Sequence, residues 1–133
     1  MRRIVGEQVL MRIFIGQTDR WERRALYSAL LELFRRKGLA GATVLHGVAG
    51  FGASSVLHEA HLLRLSQDLP VVIEVVDTQE HIDGVLGEVD RMMSGGLITM
   101  EKVRVIYYEA RNASVKKRRR GGWRNGSHGH VPA

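Results

Sequence analysis

Glycines are the residues best placed to do chemistry in this chain. Gly47-Val48-Ala49-Gly50-Phe51-Gly52 gathers three of them within six positions. Glycine permits close approach of the backbone and left-handed dihedrals, so successive N–H groups can be aimed at an anion such as a phosphate. The same run also reads as a strand end followed by a turn. It is not a P-loop, because no Gly-Lys-Ser/Thr follows. Ser94-Gly95-Gly96, taken with Lys102, is a candidate second wall, and equally a helix stop. Arg12 and Arg64 can add charge to such a site, although a single arginine is more often solvated or paired.

The other reactive groupings carry less. His58-Glu59-Ala60-His61 resembles a zinc-protease motif, but its histidines are three apart where that motif needs four. In a metal-binding reading, His46, His58 and His61 would be the ligands. Ser54 and Ser55 stand in no nucleophile-elbow pattern. The carboxylates are largely explained by helix caps and helix surfaces, and no acid–base pair demands an enzyme. No catalytic residue, metal site or required cofactor is therefore assigned. The chain has no cysteine, which excludes disulfides and thiolate chemistry.

The elements that must position these residues follow from hydrophobic period. Residues 9–15 are apolar and β-branched and predict an interior strand. Asp19 and Glu22 have capping-box spacing, which predicts a helix starting there. Leu26, Leu30, Leu33 and Phe34 form its apolar stripe, and Lys37-Gly38 its stop. A second strand is expected over 42–49, then a connection and a short helix over 56–66. Pro70 opens a third strand over 71–76, apolar enough to be covered on both sides or to lie at an interface. Asp77 or Thr78 caps a second helix with Ile82, Val85, Leu86, Val89 and Met93 on its buried side. Ser94-Gly95-Gly96 ends that helix, and a last strand is expected over 99–108. The order βαβ–βαβ predicts an α+β fold of the ferredoxin-like kind, one antiparallel sheet with both helices on one face. Its other face would be left bare for other subunits.

Charge divides the chain of 133 residues into two parts. The net charge is +6, yet residues 1–110 carry −1 and residues 111–133 carry +7. The expected organisation is one domain over 1–110 and a basic, disordered tail over 111–133, with an unbroken basic block at 116–120. A near-neutral domain argues against a nucleic-acid-binding face, leaving only the tail for sequence-blind contact with nucleic acid or an acidic membrane. No apolar run is long enough to span a membrane and no secretion signal opens the chain, so a cytoplasmic protein is expected.

Several spaced runs resemble a known family. Gly41-Ala42-Thr43-Val44, Gly50-Phe51-Gly52, Leu69-Pro70 and Ile73-Glu74-Val75-Val76 are similar to the nitrogen-regulatory PII proteins. The resemblance is closer to the PII-like domain-of-unknown-function family 190. It is carried by Leu-Met-Arg-Ile-Phe-Ile-Gly at 10–16, Gly-Leu-Ala-Gly-Ala-Thr-Val-Leu at 38–45, and Gly-Val-Ala-Gly-Phe-Gly-Ala-Ser-Ser at 47–55. Leu-Ser-Gln-Asp-Leu-Pro-Val-Val-Ile-Glu-Val-Val-Asp at 65–77 completes it. The match spans about residues 7–108.

The resemblance implies a ferredoxin-like homotrimer with clefts between subunits that bind an adenine nucleotide (AMP, ADP or ATP). It implies a signalling protein, not an enzyme, that regulates a target protein. A membrane transporter or channel is a candidate target, since some members are encoded beside fluoride-channel genes. Carried over by position, Gly41 and Thr43 lie near the adenine, and Gly50, Phe51 and Gly52 at the base of the mobile loop. Glu74 follows the Leu-Pro strand start, and Gly95, Gly96 and Lys102 fall in a loop cradling phosphates. Three departures are plain. Val71 stands where PII proteins carry a lysine, their paired C-terminal arginines have no counterpart near 106–110, and residues 53–68 contain no tyrosine. A monophosphate or diphosphate suits the reduced charge better than a triphosphate, and uridylylation of the loop is not expected. The alternatives are an ion-homeostasis protein of the CutA type and a nucleic-acid-binding module using the tail.

Overall fold

The computed structural model describes residues 3–52 and 68–110. The expected helix over 56–66, His58, His61, Arg64 and the tail beyond 110 lie outside the described residues. Strand β1 (Gly6–Gly16) is followed by a two-stranded hairpin, β2 (Arg20–Trp21) and β3 (Arg24–Ala25), and by helix α1 (Leu26–Arg36). Then come β4 (Thr43–His46), β5 (Pro70–Asp77), α2 (Gln79–Met92) and β6 (Leu97–Val105). The large sheet has the order β4-β5-β1-β6 with every neighbouring pair antiparallel. This is the expected ferredoxin-like α+β arrangement.

The core lies between the sheet and the helices. Val9, Met11, Ile13 and Ile15 of β1 alternate inward, and Val71, Ile73 and Val75 of β5 join them. They meet Leu26, Leu30, Leu33 and Phe34 of α1 and Ile82, Val85 and Val89 of α2. Both helical stripes are as the 3.6-residue period required, with Leu86 and Met93 packed at the margin. β5 is covered on one side only: Val72, Glu74 and Val76 alternate outward and remain half-buried.

The start of α1 corrects the sequence expectation. Asp19 caps no helix; its Oδ2 accepts from the Gly16 N–H at 2.9 Å, and its carbonyl accepts from Leu26 N at 2.8 Å. Between those anchors runs the β2–β3 hairpin, whose turn residues Glu22 and Arg23 adopt φ of 44° and 68°. Two left-handed residues make the tight turn that suits a two-residue hairpin, here without the usual Asn-Gly. The α1 C-terminus forms a Schellman motif, with Leu39 N donating to Phe34 O at 3.0 Å and Gly38 N to Arg35 O at 3.1 Å.

At α2 the cap is Thr78, whose Oγ1 accepts from His81 N at 3.2 Å. Asp77 is instead a fully buried carboxylate. Its Oδ2 accepts from Ala40 N at 2.8 Å and its Oδ1 from Thr78 N at 2.7 Å, tying the α1–β4 loop to the head of α2. β4 is shorter than expected, ending at His46, and β6 starts two residues earlier, at Leu97, and stops at Val105.

Candidate functional site

Strand directions bring the glycine runs to one end of the sheet. Gly16 ends β1 opposite Pro70, and Phe14 pairs with Leu97. Gly47 leaves β4 at the same end, donating its N–H to Pro70 O at 2.7 Å. A Cβ at Gly47 would stand 2.5 Å from the Pro70 ring, so the crossing of chain over strand requires glycine there. Gly96 has φ of 116°, and a Cβ on it would meet the Phe14 carbonyl oxygen at 2.5 Å. No L side chain is comfortable in that position.

The N–H groups of Gly50, Phe51, Gly52 and Gly95 donate to no atom of the described residues. Phe51 is 77% exposed. By contrast, the donors at the end of β1 are taken: Thr18 N donates to Asp68 Oδ1 at 3.0 Å and Gln17 N to Leu69 O at 2.8 Å. Asp19 and Asp68 thus hold the β1 end with their own carboxylates. The unclaimed donors follow the edge strand β4 on one side, with Gly50 turned against the Pro70 ring, and precede the edge strand β6 on the other. Sequence reasoning gave Asp19 the role of a helix cap and missed Asp68, which acts on a neighbouring loop and has no local motif.

Those edges are far apart within one chain. β4 and β6 are separated by β5 and β1, three strand spacings or roughly 14 Å. Lys102 is corrected in position. It belongs to β6, in register with Val9, and pairs with Glu7 at 3.3 Å on the exposed edge. Six residues of strand, about 20 Å, separate it from Gly96.

Glu74 and Thr43 sit elsewhere, on the bare face of the sheet. They are cross-strand partners, and Glu74 is in turn opposite Arg12. Arg12 Nε donates to Glu74 Oε1 at 3.1 Å and Arg12 Nη1 to Glu101 Oε1 at 2.5 Å. The bond to Glu74, then that to Glu101, holds the guanidinium above its ordinary value. Above this polar row lies an apolar one spanning all four strands: Leu45, Val72, Phe14 and Leu97 are successive partners. Leu45 is 48% and Leu97 55% exposed. Gly41 lies in the α1–β4 loop beside Ala40, at the other end of the sheet. The nine predicted site residues therefore fall into three groups. Gly50, Phe51, Gly52, Gly95 and Gly96 share the glycine end, Thr43 and Glu74 share the bare face, and Gly41 and Lys102 lie apart from both.

The family model matching residues 8–105 is DUF190, described as an uncharacterized ACR. The chain belongs to the DUF190 family. A UPF0166 protein of Aquifex aeolicus is 39% identical over 103 residues, covering 77% of this chain and 97% of that protein. A UPF0166 protein of Methanocaldococcus jannaschii is 36% identical over 90 residues, covering 67% and 82%. Among solved structures, a PII-like signaling protein of Thermus thermophilus aligns with a TM-score of 0.56 at 16% identity. That alignment covers 76% of this chain and 91% of the other. CPII of Thiomonas intermedia, solved with ADP and bicarbonate, aligns over 74% and 88% with a TM-score of 0.47 at 14% identity. The fold is PII-like.

Among the described residues no group of three His, Asp or Glu side chains is placed to hold a metal ion, and none of their helices is long and apolar enough to cross a membrane.

Proposed function

We propose that this DUF190 protein is a PII-like regulatory protein, not an enzyme, that assembles as a homotrimer. It binds a small anionic effector, an adenine nucleotide, at clefts between subunits and passes the binding state to a partner protein. One observation carries the reading: unclaimed backbone donors stand next to both edge strands at one sheet end, with a bare, partly apolar sheet face between them. A second chain can bring such edges together. An apolar row ending in two half-exposed leucines is the kind of surface that a neighbouring subunit covers. Backbone N–H groups without partners favour a phosphate, and the few cations near them favour a monophosphate or diphosphate.

The test has two arms. Sedimentation of the full chain should give a species of three times 14.9 kDa. Calorimetry against AMP, ADP, ATP and cyclic AMP should show heat for at least one of them. Flat traces for all four remove the nucleotide, and a monomer at micromolar concentration removes the cleft.

A further inference from the structure

The helical side of the molecule, away from the bare sheet face, holds a concavity. It has a volume of about 330 Å³ and is open to solvent. Trp21 and Arg24 of the hairpin, Leu33 and Arg36 of α1, and Arg91 and Met92 of α2 line it. Trp21 and Met92 pack against the core cluster, so the floor is apolar and fixed. The hairpin that carries Trp21 is held by a turn of two non-glycine residues in left-handed conformations. Such backbone cost is retained where the surroundings over-determine a geometry, often at ligand-holding sites.

Charge around the cavity is unevenly satisfied. Glu32 is taken by Arg24 at 2.6 Å. Glu88 is taken by Lys37 at 2.9 Å, while Arg36 stands 3.8 Å from it and Arg91 adds to the same field. Three cations thus surround one carboxylate that is already paired. Arg91 has no ion pair within 4.0 Å among the described residues, and Arg36 has only the long contact. Glu22, in the turn, is the remaining carboxylate of the lining. The carbonyl end of α2 opposes an anion here, but weakly beside two arginines with donors to spare.

We propose that this cleft is a second ligand site, separate from the glycine bends, for a small molecule with an acidic group on a flat apolar or aromatic body. The acid lies between Arg36 and Arg91, and the body rests against Trp21, Leu33 and Met92. Arginine forks suit carboxylate or phosphate, and indole offers a face for stacking.

Trp21 reports on its own site. The chain has two tryptophans, so the full-length Trp123→Phe protein leaves Trp21 as the only one. Phenyl phosphate is the probe, with inorganic phosphate supplying the acid alone and phenol the body alone. Phenyl phosphate should change Trp21 emission saturably, with affinity roughly tenfold or more above either fragment. Arg91→Gln should weaken it by roughly tenfold, and Arg91→Lys by distinctly less. Far-UV circular dichroism confirms that each variant is folded, and amide shifts confined to residues near 21, 36 and 91 locate the probe independently. Absence of saturation, equal response to phenol, or unchanged affinity in Arg91→Gln would each overturn the proposal. So would sensitivity to Gly95→Ala combined with insensitivity to Arg91→Gln, which would place the probe at the glycine bends.

Discussion

Replacing Gly96 by alanine should unfold the glycine end of the sheet far more than replacing its neighbour Gly95. At Gly96 the φ of 116° lies outside the regions open to an L residue. Holding a side chain there costs about 1–3 kcal/mol. The new Cβ would also press on the Phe14 carbonyl at 2.5 Å and on Met93 Cε at 2.9 Å. The methionine can give, but Phe14 is held in the interior strand β1, flanked by Val72 of β5 and Leu97 of β6. Relieving that contact resembles an overpacked core, at a further 1–3 kcal/mol or so. A loss of about 3 kcal/mol is expected, enough to lower the melting temperature by roughly 12–20 °C in a domain of this size. A Cβ at Gly95 meets nothing within 4 Å, and its φ is not positive, so Gly95→Ala should stay within about 0.5 kcal/mol of the parent. Its effect should appear in nucleotide calorimetry, where the added methyl keeps a phosphate from the N–H. The assay is equilibrium urea unfolding at one fixed protomer concentration, because assembly makes stability concentration-dependent. Parental midpoint and slope for Gly96→Ala, or equal losses for the two variants, would refute the assignment of Gly96 as the conformational anchor.

Three other perturbations are equally direct. Asp77→Asn turns one acceptor of a buried carboxylate toward an N–H as a donor, and should cost about 2–4 kcal/mol in urea unfolding. Leu97→Lys places a charge on the bare face at a half-exposed position; the chain should fold within about 0.5 kcal/mol of the parent, while sedimentation shifts to smaller species. Glu88 is held below its ordinary 4.5 by Lys37 first, with Arg36 and Arg91 adding to the field. Its stabilising contribution is therefore complete above pH 4.5 and disappears as pH falls through the depressed value. Carboxyl NMR titration should find Glu88 below 4.5, and Lys37→Gln should move it upward.

Hydrophobic period made most of the frame legible. Leu26, Leu30, Leu33 and Phe34 could share a side only in a helix, and the β-branched run before Gly16 could bury its alternate residues only in a strand. The hairpin at 20–25 escaped because Asp19 and Glu22 imitate a capping box, and because Glu-Arg at the turn lacks the Asn-Gly chemistry that announces one. Asp77 had the spacing of a cap, yet its carboxylate reaches Ala40, 37 residues away. The Arg12–Glu74–Glu101 group had no local signature, since its members are separated by 62 and 89 residues. Lys102 had two readings, in the strand expected over 99–108 and, through the resemblance, in a phosphate-cradling loop; β6 spans Leu97–Val105 and so keeps it in the strand. The glycines were found by type, but which end of the sheet they share depends on register.

On the proposed reading, ligand binding and assembly are one equilibrium. Donors at the β4 edge and at the β6 edge of a single chain, about 14 Å apart by strand spacing, cannot both reach one phosphate, whereas edges from two chains can. A ligand that bridges them binds the assembly and not the separated subunit. It must then stabilise the assembly by about 2.7 kcal/mol at one hundred times its dissociation constant. Subunit exchange between differently labelled chains, followed by mass spectrometry, should slow when the nucleotide identified by calorimetry is added. It should not slow in Gly95→Ala at the same nucleotide concentration. The second cleft lies within one chain, between its hairpin and its own helices, so phenyl phosphate at Trp21 should leave exchange unchanged. Unaltered exchange with saturating nucleotide would mean that the effector is held by one chain alone, and the intersubunit reading of the glycine bends would fall.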